Sequence, residues 1–133
     1  MFYSFEVTAP EVTEPPGGVG VKQIEDMSMS AGVIHQLDVL FPDTADHAIA
    51  VQIFDSSVQL WPSNRNATIR GDATCVSFRD FYEMRADNNI LTAKAWRLST
   101  GDAVTVFIHI GVLPLSVLQP FSLAELLRAV QKS

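Results

Sequence analysis

The strict alternation of apolar and polar side chains over short stretches constrains this chain most. Near the end of the sequence, apolar side chains occupy every second position, at Val104, Val106, Ile108 and Ile110. A period of two places one face of a β-strand against a core, whereas a helix repeats about every 3.6 residues. Residues 103–124 carry no Lys, Arg, Asp or Glu and are long enough to cross a bilayer. The alternation argues against a membrane-spanning helix, so we expect a buried strand followed by a loop and no membrane partner.

Similar stretches, rich in β-branched and aromatic residues, recur at short intervals along the chain. Between them lie Gly, Pro, Asn, Asp and Ser clusters that form turns. The predicted strands cover residues 2–9, 19–24, 33–41, 49–54, 58–61, 74–78, 90–97 and 103–112. Short strands at such spacing are typical of an all-β fold, an antiparallel β-sandwich or jelly roll. We place its body at residues 19–114.

The first 18 residues form a segment of their own. Residues 2–9 alternate as a strand does, and residues 10–18 contain three prolines and two glycines, which cannot continue a sheet ladder. An extended N-terminal arm of this kind can add a strand to a neighbouring chain, or it can fold back on its own sheet. The sequence leaves both open. The predicted interface side chains of the arm are Phe2, Tyr3, Phe5 and Val7.

The last segment, residues 115–133, predicts a loop and a short amphipathic helix. Ser122 and Glu125 have the spacing of a capping box. The side chains that would share one helix face are Leu123, Leu126, Leu127 and Val130. That face can dock on its own sandwich or on a neighbouring subunit, and we include it in the predicted interface.

Charge limits the possible partners. The net charge of −6 would repel a phosphate backbone, so nucleic acid is not an expected partner. Residues 1–58 hold nine acids and one base, whereas residues 59–133 hold six acids and eight bases. Acidic and basic surfaces could meet between copies or between chain and partner, or the acidic part could be a solvated face. Cys75 is the only cysteine, and residues 1–10 lack the features of a secretory signal. These features predict a reducing compartment such as the cytoplasm.

The residues that could carry chemistry are scattered. His35, His47 and His109 show no metal-ligand spacing, and no serine lies in a Gly-x-Ser-x-Gly motif. We therefore predict no enzyme, no metal and no cofactor. Their phases in the strands place His35 toward the core and His109 outward.

Two tryptophans are candidate ligand-stacking residues. Trp61 and Trp96 could stack against a sugar if they lie on an exposed face. The alternative is burial in the core or in an interface, the common position of such rings.

Several strand and turn signatures suggest a family. These are Phe41-Pro42, Leu60-Trp61-Pro62-Ser63-Asn64, Gly71-Asp72, Phe81-Tyr82-Glu83 and Ile110-Gly111-Val112-Leu113-Pro114. From about residue 33 to residue 114 the chain resembles small β-sandwich virion accessory proteins of tailed bacteriophages, including capsid decoration proteins. The resemblance implies a homo-oligomer, often a trimer, bound to a capsid or tail surface through arms and tails, and therefore a virion location as the alternative to the cytoplasm. We therefore expect a structural protein that oligomerises and binds a larger assembly such as a capsid; the alternative is a carbohydrate-binding β-sandwich module.

Overall fold

The computed structural model describes residues 1–13, 20–84 and 89–114, and within them the chain forms eight β-strands and no helix. The strands are β1 (Phe2–Ala9), β2 (Gln23–Ser28), β3 (Gly32–Phe41), β4 (Ile49–Asp55), β5 (Val58–Trp61), β6 (Thr74–Glu83), β7 (Ile90–Arg97) and β8 (Val104–Pro114). The prediction of an all-β fold is confirmed. The predicted C-terminal helix, with Leu123, Leu126, Leu127 and Val130, lies outside the described residues.

The strands form two antiparallel sheets of four. Sheet 1 has the order β1-β8-β3-β6, and sheet 2 has the order β2-β7-β4-β5. Alternate side chains of both sheets belong to one buried apolar cluster. In sheet 1 its members include Leu37, Val39, Ile108 and Ile110; in sheet 2 they include Met27, Ile49, Val51, Ile53 and Leu91. The period of two that the sequence shows is therefore the period of core burial.

β1 is an edge strand of sheet 1. It pairs along its whole length with β8 of the same chain, from Phe2 opposite Gly111 to Ala9 opposite Val104. The Thr8 and Thr105 hydroxyls also form a hydrogen bond across this pair, with 2.8 Å between their oxygens. Of the two placements that the sequence left open, the structure has the one in which the segment folds back on its own sheet.

Two strands differ from the prediction by more than two residues at an end. The strand expected at residues 19–24 lies at Gln23–Ser28 instead, where Met27 is buried against the core. The alternation is hard to see in the sequence because the acidic Glu25 lies on the same face of the strand as the buried Met27. At this sheet edge the Glu25 side chain is only half-buried, and Asp26 is exposed. β6 runs to Glu83 rather than ending at residue 78.

A β-bulge changes the direction of His35. β8 pairs Val112 with Ile34 and the preceding Gly111 with Gln36, so His35 is an extra residue without a partner in that ladder. The imidazole is half-buried and lies edge-on to the exposed ring of Phe2, with 5.8 Å between centroids. The prediction that His35 points into the core is therefore wrong, since the bulge shifts the alternation by one residue.

The β7–β8 turn is built around a buried arginine. The Arg97 guanidinium, 7% exposed, donates to the carbonyl oxygens of Ser99 at 3.1 Å, Thr100 at 3.3 Å and Asp102 at 2.8 Å. Gly101 lies against this guanidinium with φ +156°, in a conformation that favours glycine.

The same turn holds two further parts of the chain. Val12 and Gly101 exchange backbone hydrogen bonds of 2.9 and 2.8 Å, and the Gly20 N–H donates to the Arg97 carbonyl at 2.8 Å. The chain is thus fastened to this turn both after β1 and before β2.

Candidate functional site

A solvent-open cavity lies on the outer face of sheet 2. We call it the sheet 2 groove. Its volume is about 780 Å³. Its floor is formed by alternate side chains of two paired central strands, Gln52 and Phe54 on β4 and Lys94 and Trp96 on β7. The other lining residues are Lys22, Ser57, Val58, Gln59, Ser63, Arg65 and Asn66. Most of these come from β5 and the loop after it, which form one wall.

Gln59 organises that wall. Its amide Nε2 donates to the carbonyl oxygens of Pro62 at 2.7 Å and Ala67 at 3.1 Å, and its Oε1 accepts from the Asn66 backbone N–H at 3.3 Å. Gln52, which is buried, donates from Nε2 to the same Ala67 oxygen at 2.9 Å. Two side-chain amides therefore hold the loop in place against the sheet before any ligand arrives.

The electrostatics of the groove are set by three basic side chains. The Lys22 ammonium lies 4.5 Å from the centroid of the Trp96 ring, and the Lys94 ammonium lies 4.4 Å from that of Phe54. Arg65 stands on the loop wall. Within residues 1–13, 20–84 and 89–114, no Asp or Glu lines the groove and no salt bridge neutralises these three cations. The groove is thus a local positive site in a chain of net charge −6.

The two predicted stacking residues have different environments. Trp61 is 3% exposed and belongs to the core cluster, where its ring meets Tyr82 edge-on at 6.0 Å. Trp61 is therefore a core residue, which was the alternative to a role in ligand stacking. Trp96 lines the groove but is 7% exposed, because Lys22 covers its ring.

The second feature of functional interest is the outer edge of β1, which no other described strand covers. The Met1 amino group donates to the Val112 carbonyl at 2.8 Å, and the Val112 N–H donates back at 2.7 Å. Hydrogen-bonded and non-hydrogen-bonded pairs alternate along an antiparallel ladder, so the odd-numbered residues of β1 bond to β8. The even-numbered residues direct their N–H and C=O groups away from the sheet, and no described residue bonds to them; they are Phe2, Ser4, Glu6 and Thr8.

Aromatic side chains flank this edge on both faces. Phe2 is 69% exposed on the outer face of sheet 1. Tyr3 and Phe5 are partly buried against the core on the inner face and stack at 6.3 Å. Val7 is buried in the chain's own core. Of the four interface residues predicted for the arm, three therefore keep surface that a partner can cover, and Val7 does not.

The other three sheet edges are shorter, more charged or interrupted. β5 has four residues and is followed by Pro62. β2 has six residues and carries Glu25 and Asp26. β6 is long, but its register against β3 shifts near Arg79 and Asp80. Charged side chains, short strands and bulges keep sheet edges from pairing with other chains. Of these features β1 has only one charged side chain, that of Glu6.

A smaller cavity of about 320 Å³ lies at the bulge on sheet 1, lined by His35, Gln36, Arg79, Phe81 and Leu113. Partial burial lowers the pKa of His35 from its ordinary value, and the positive charges of the chain's α-amino group and of Arg79 lower it further. Neutral imidazole is therefore favoured. Within the described residues, no three His, Cys, Asp or Glu side chains come together as a metal site would require.

The groove was not predicted from the sequence. Its three cations come from residues 22, 65 and 94, which are far apart in the chain. The one available signal was the excess of bases after residue 58.

In the described part of the chain, no helix has the length and apolar character needed to cross a membrane. Comparison with protein-family models, curated proteins and solved structures finds no match to this chain.

Proposed function

We propose that this chain is a non-enzymatic structural protein that self-associates by strand addition at β1 and serves as a unit of a larger assembly. The observation that carries the proposal is the eight-residue edge of β1, whose outward N–H and C=O groups have no partner among the described residues. Such an edge is a template for another strand.

At this edge, the backbone N–H and C=O groups of two copies can form hydrogen bonds with each other. Antiparallel pairing of β1 with β1 of a second copy would join the two copies of sheet 1 into one sheet and cover part of Phe2, Tyr3 and Phe5. A contact in which both copies use the same surface has twofold symmetry and closes at two chains. We therefore propose a dimer at this edge; the trimer implied by the phage resemblance would need a different surface.

The strand order supports the structural role at the level of architecture. The orders β1-β8-β3-β6 and β2-β7-β4-β5 fit a jelly roll, which occurs in viral capsid domains and also in lectins. A virion accessory protein bound to a capsid is the form of this proposal that agrees with the sequence resemblance. Architecture alone does not determine function, so the edge and not the fold carries the argument.

The test uses a proline that blocks only the outward side of β1. The N–H of Glu6 points away from β8, so Glu6→Pro should leave the ladder within the chain intact and block the added strand. Glu6→Thr is the matched control, because it removes the charge and keeps the N–H. Light scattering should give twice the chain mass for the native protein and for Glu6→Thr, and the single-chain mass for Glu6→Pro.

Circular dichroism of all three proteins should show the same β content. A native protein that stays monomeric from micromolar to millimolar concentration would contradict the proposal. A Glu6→Pro variant that remains a dimer would do so too, since the contact would then lie elsewhere.

A further inference from the structure

We propose that the sheet 2 groove binds an acidic oligosaccharide, recognised by its carboxylate or sulfate groups. This site is on the opposite sheet from β1, and the inference does not depend on self-association.

Charge is the first argument. Lys22, Arg65 and Lys94 line one groove to which no described residue contributes a carboxylate, although acids outnumber bases in the chain by 15 to 9. Like charges gathered in one cleft repel one another, and an anionic ligand relieves that repulsion. The anionic groups of such a ligand would bind ammonium and guanidinium N–H donors that no described carboxylate already binds.

The aromatic rings of the groove argue for recognition by charge instead of stacking. Lys22 covers Trp96 and Lys94 covers Phe54, each at a cation–π distance. A neutral sugar would have to displace an ammonium group before it could stack on either ring. An acidic sugar can bind the same ammonium groups where they stand.

The position and polarity of the groove favour a saccharide over a peptide. An extended peptide usually binds by adding to a sheet edge or by inserting apolar side chains into pockets. The floor of the groove is the face of the central strands β4 and β7, and its rings are covered. Ser57, Ser63 and Asn66 instead present hydroxyl and amide groups that suit sugar hydroxyls.

A long polyanion such as a nucleic acid fits less well, because the acidic remainder of the chain would repel it. A cavity of about 780 Å³ has room for a short oligosaccharide. The loop fixed by Gln59 and Gln52 is already ordered, so binding would not have to order that wall.

The experiment is titration calorimetry with matched ligands. The acidic probes are trigalacturonate, sialyllactose and a sulfated chondroitin disaccharide; their counterparts without those charged groups are trigalacturonate methyl ester, lactose and the desulfated disaccharide. We expect at least one acidic probe to bind, and its neutral counterpart or the sugar without its charged group to bind about tenfold more weakly or not at all. Affinity should fall as salt is added.

Variants locate the site. Arg65→Gln should weaken binding of the same probe about tenfold, whereas Arg70→Gln, an equal charge change at an exposed residue outside the groove, should leave the affinity unchanged. Lys94→Gln should act in the same direction as Arg65→Gln, and its folding is checked by circular dichroism.

Three results would overturn the inference. They are no binding of any acidic probe, equal loss of affinity in Arg65→Gln and Arg70→Gln, and tighter binding of pentaglutamate than of every acidic sugar. The last result would identify the groove as a site for acidic peptides.

Discussion

The contact between Gly101 and the Arg97 guanidinium allows a quantitative test. A Cβ added at Gly101 would lie 2.2 Å from Arg97 Nη2 and 2.6 Å from its Cζ, so the guanidinium would have to move away from the carbonyl oxygens that hold it. The φ of +156° is a second cost for any residue other than glycine. Strained backbone and overpacking each cost about 1–3 kcal/mol, so Gly101→Ala should lower the free energy of unfolding by about 3 kcal/mol.

Arg97→Met removes a different set of interactions. It loses three hydrogen bonds from a charged donor to backbone carbonyls, each of which is worth about 1.5–3 kcal/mol where water cannot replace the donor. Ser99, Thr100 and Asp102 are exposed, so water can satisfy part of what is lost. We expect a decrease of about 2–3 kcal/mol in the free energy of unfolding.

The double variant separates the two causes. Without the guanidinium the added Cβ no longer clashes, but the backbone cost at Gly101 stays. The double variant should therefore be more stable than the sum of the single losses predicts, by about 1–2 kcal/mol. Urea unfolding at one fixed protein concentration measures this, since self-association would add to the apparent stability. Additivity within about 0.5 kcal/mol would refute the clash with Arg97.

Further outcomes follow from single residues. The imidazole of His35 should titrate below its ordinary pKa of 6.5 in an NMR pH series. As pH falls, the imidazole of His35 takes up a proton in the unfolded chain before it does so in the folded chain. His35 therefore favours the folded state above pH 6.5, and this contribution to stability is lost as pH falls through the pKa of the folded state. His35→Gln should show a shallower decrease in stability between about pH 7.5 and 5 than the native protein; equal slopes would contradict the assigned shift. Gly32→Ala places a Cβ 2.2 Å from a backbone carbonyl oxygen of β8, so it should abolish the urea transition or lower its midpoint far more than a surface Ser4→Ala change does. Leu37→Ala, at a buried core position, should cost about 3–4 kcal/mol in the same assay, and a loss below about 1 kcal/mol would show that the site is not packed as described.

The sequence predicted the sheets well where one face of a strand is buried without interruption. β8 is such a strand, because Val104, Val106, Ile108 and Ile110 all lie in the core. The prediction was less accurate for β2, an edge strand whose acidic residues are exposed or only half-buried. It was wrong at His35, since a bulge depends on the partner strands and not on local pattern.

The candidate sites were harder to predict because they depend on strand order. Lys22, Arg65 and Lys94 line one groove only because β2, β7, β4 and β5 are neighbours in one sheet and the loop after β5 lies beside it. The outer edge of β1 likewise follows from its place at the end of sheet 1. The apolar alternation of residues 2–9 predicted the strand and the aromatic side chains beside that edge, but not which side of the strand the other described strands leave uncovered.

The fastening of the chain at Val12 and Gly20 has a practical consequence for engineering. Both positions are bonded to the β7–β8 turn, so the two ends of the connection from β1 to β2 are fixed. Lengthening a connection between fixed ends costs only about 0.6 kcal/mol for each doubling. A foreign epitope or a fluorescent label inserted between Val12 and Gly20 should therefore leave both sheets intact.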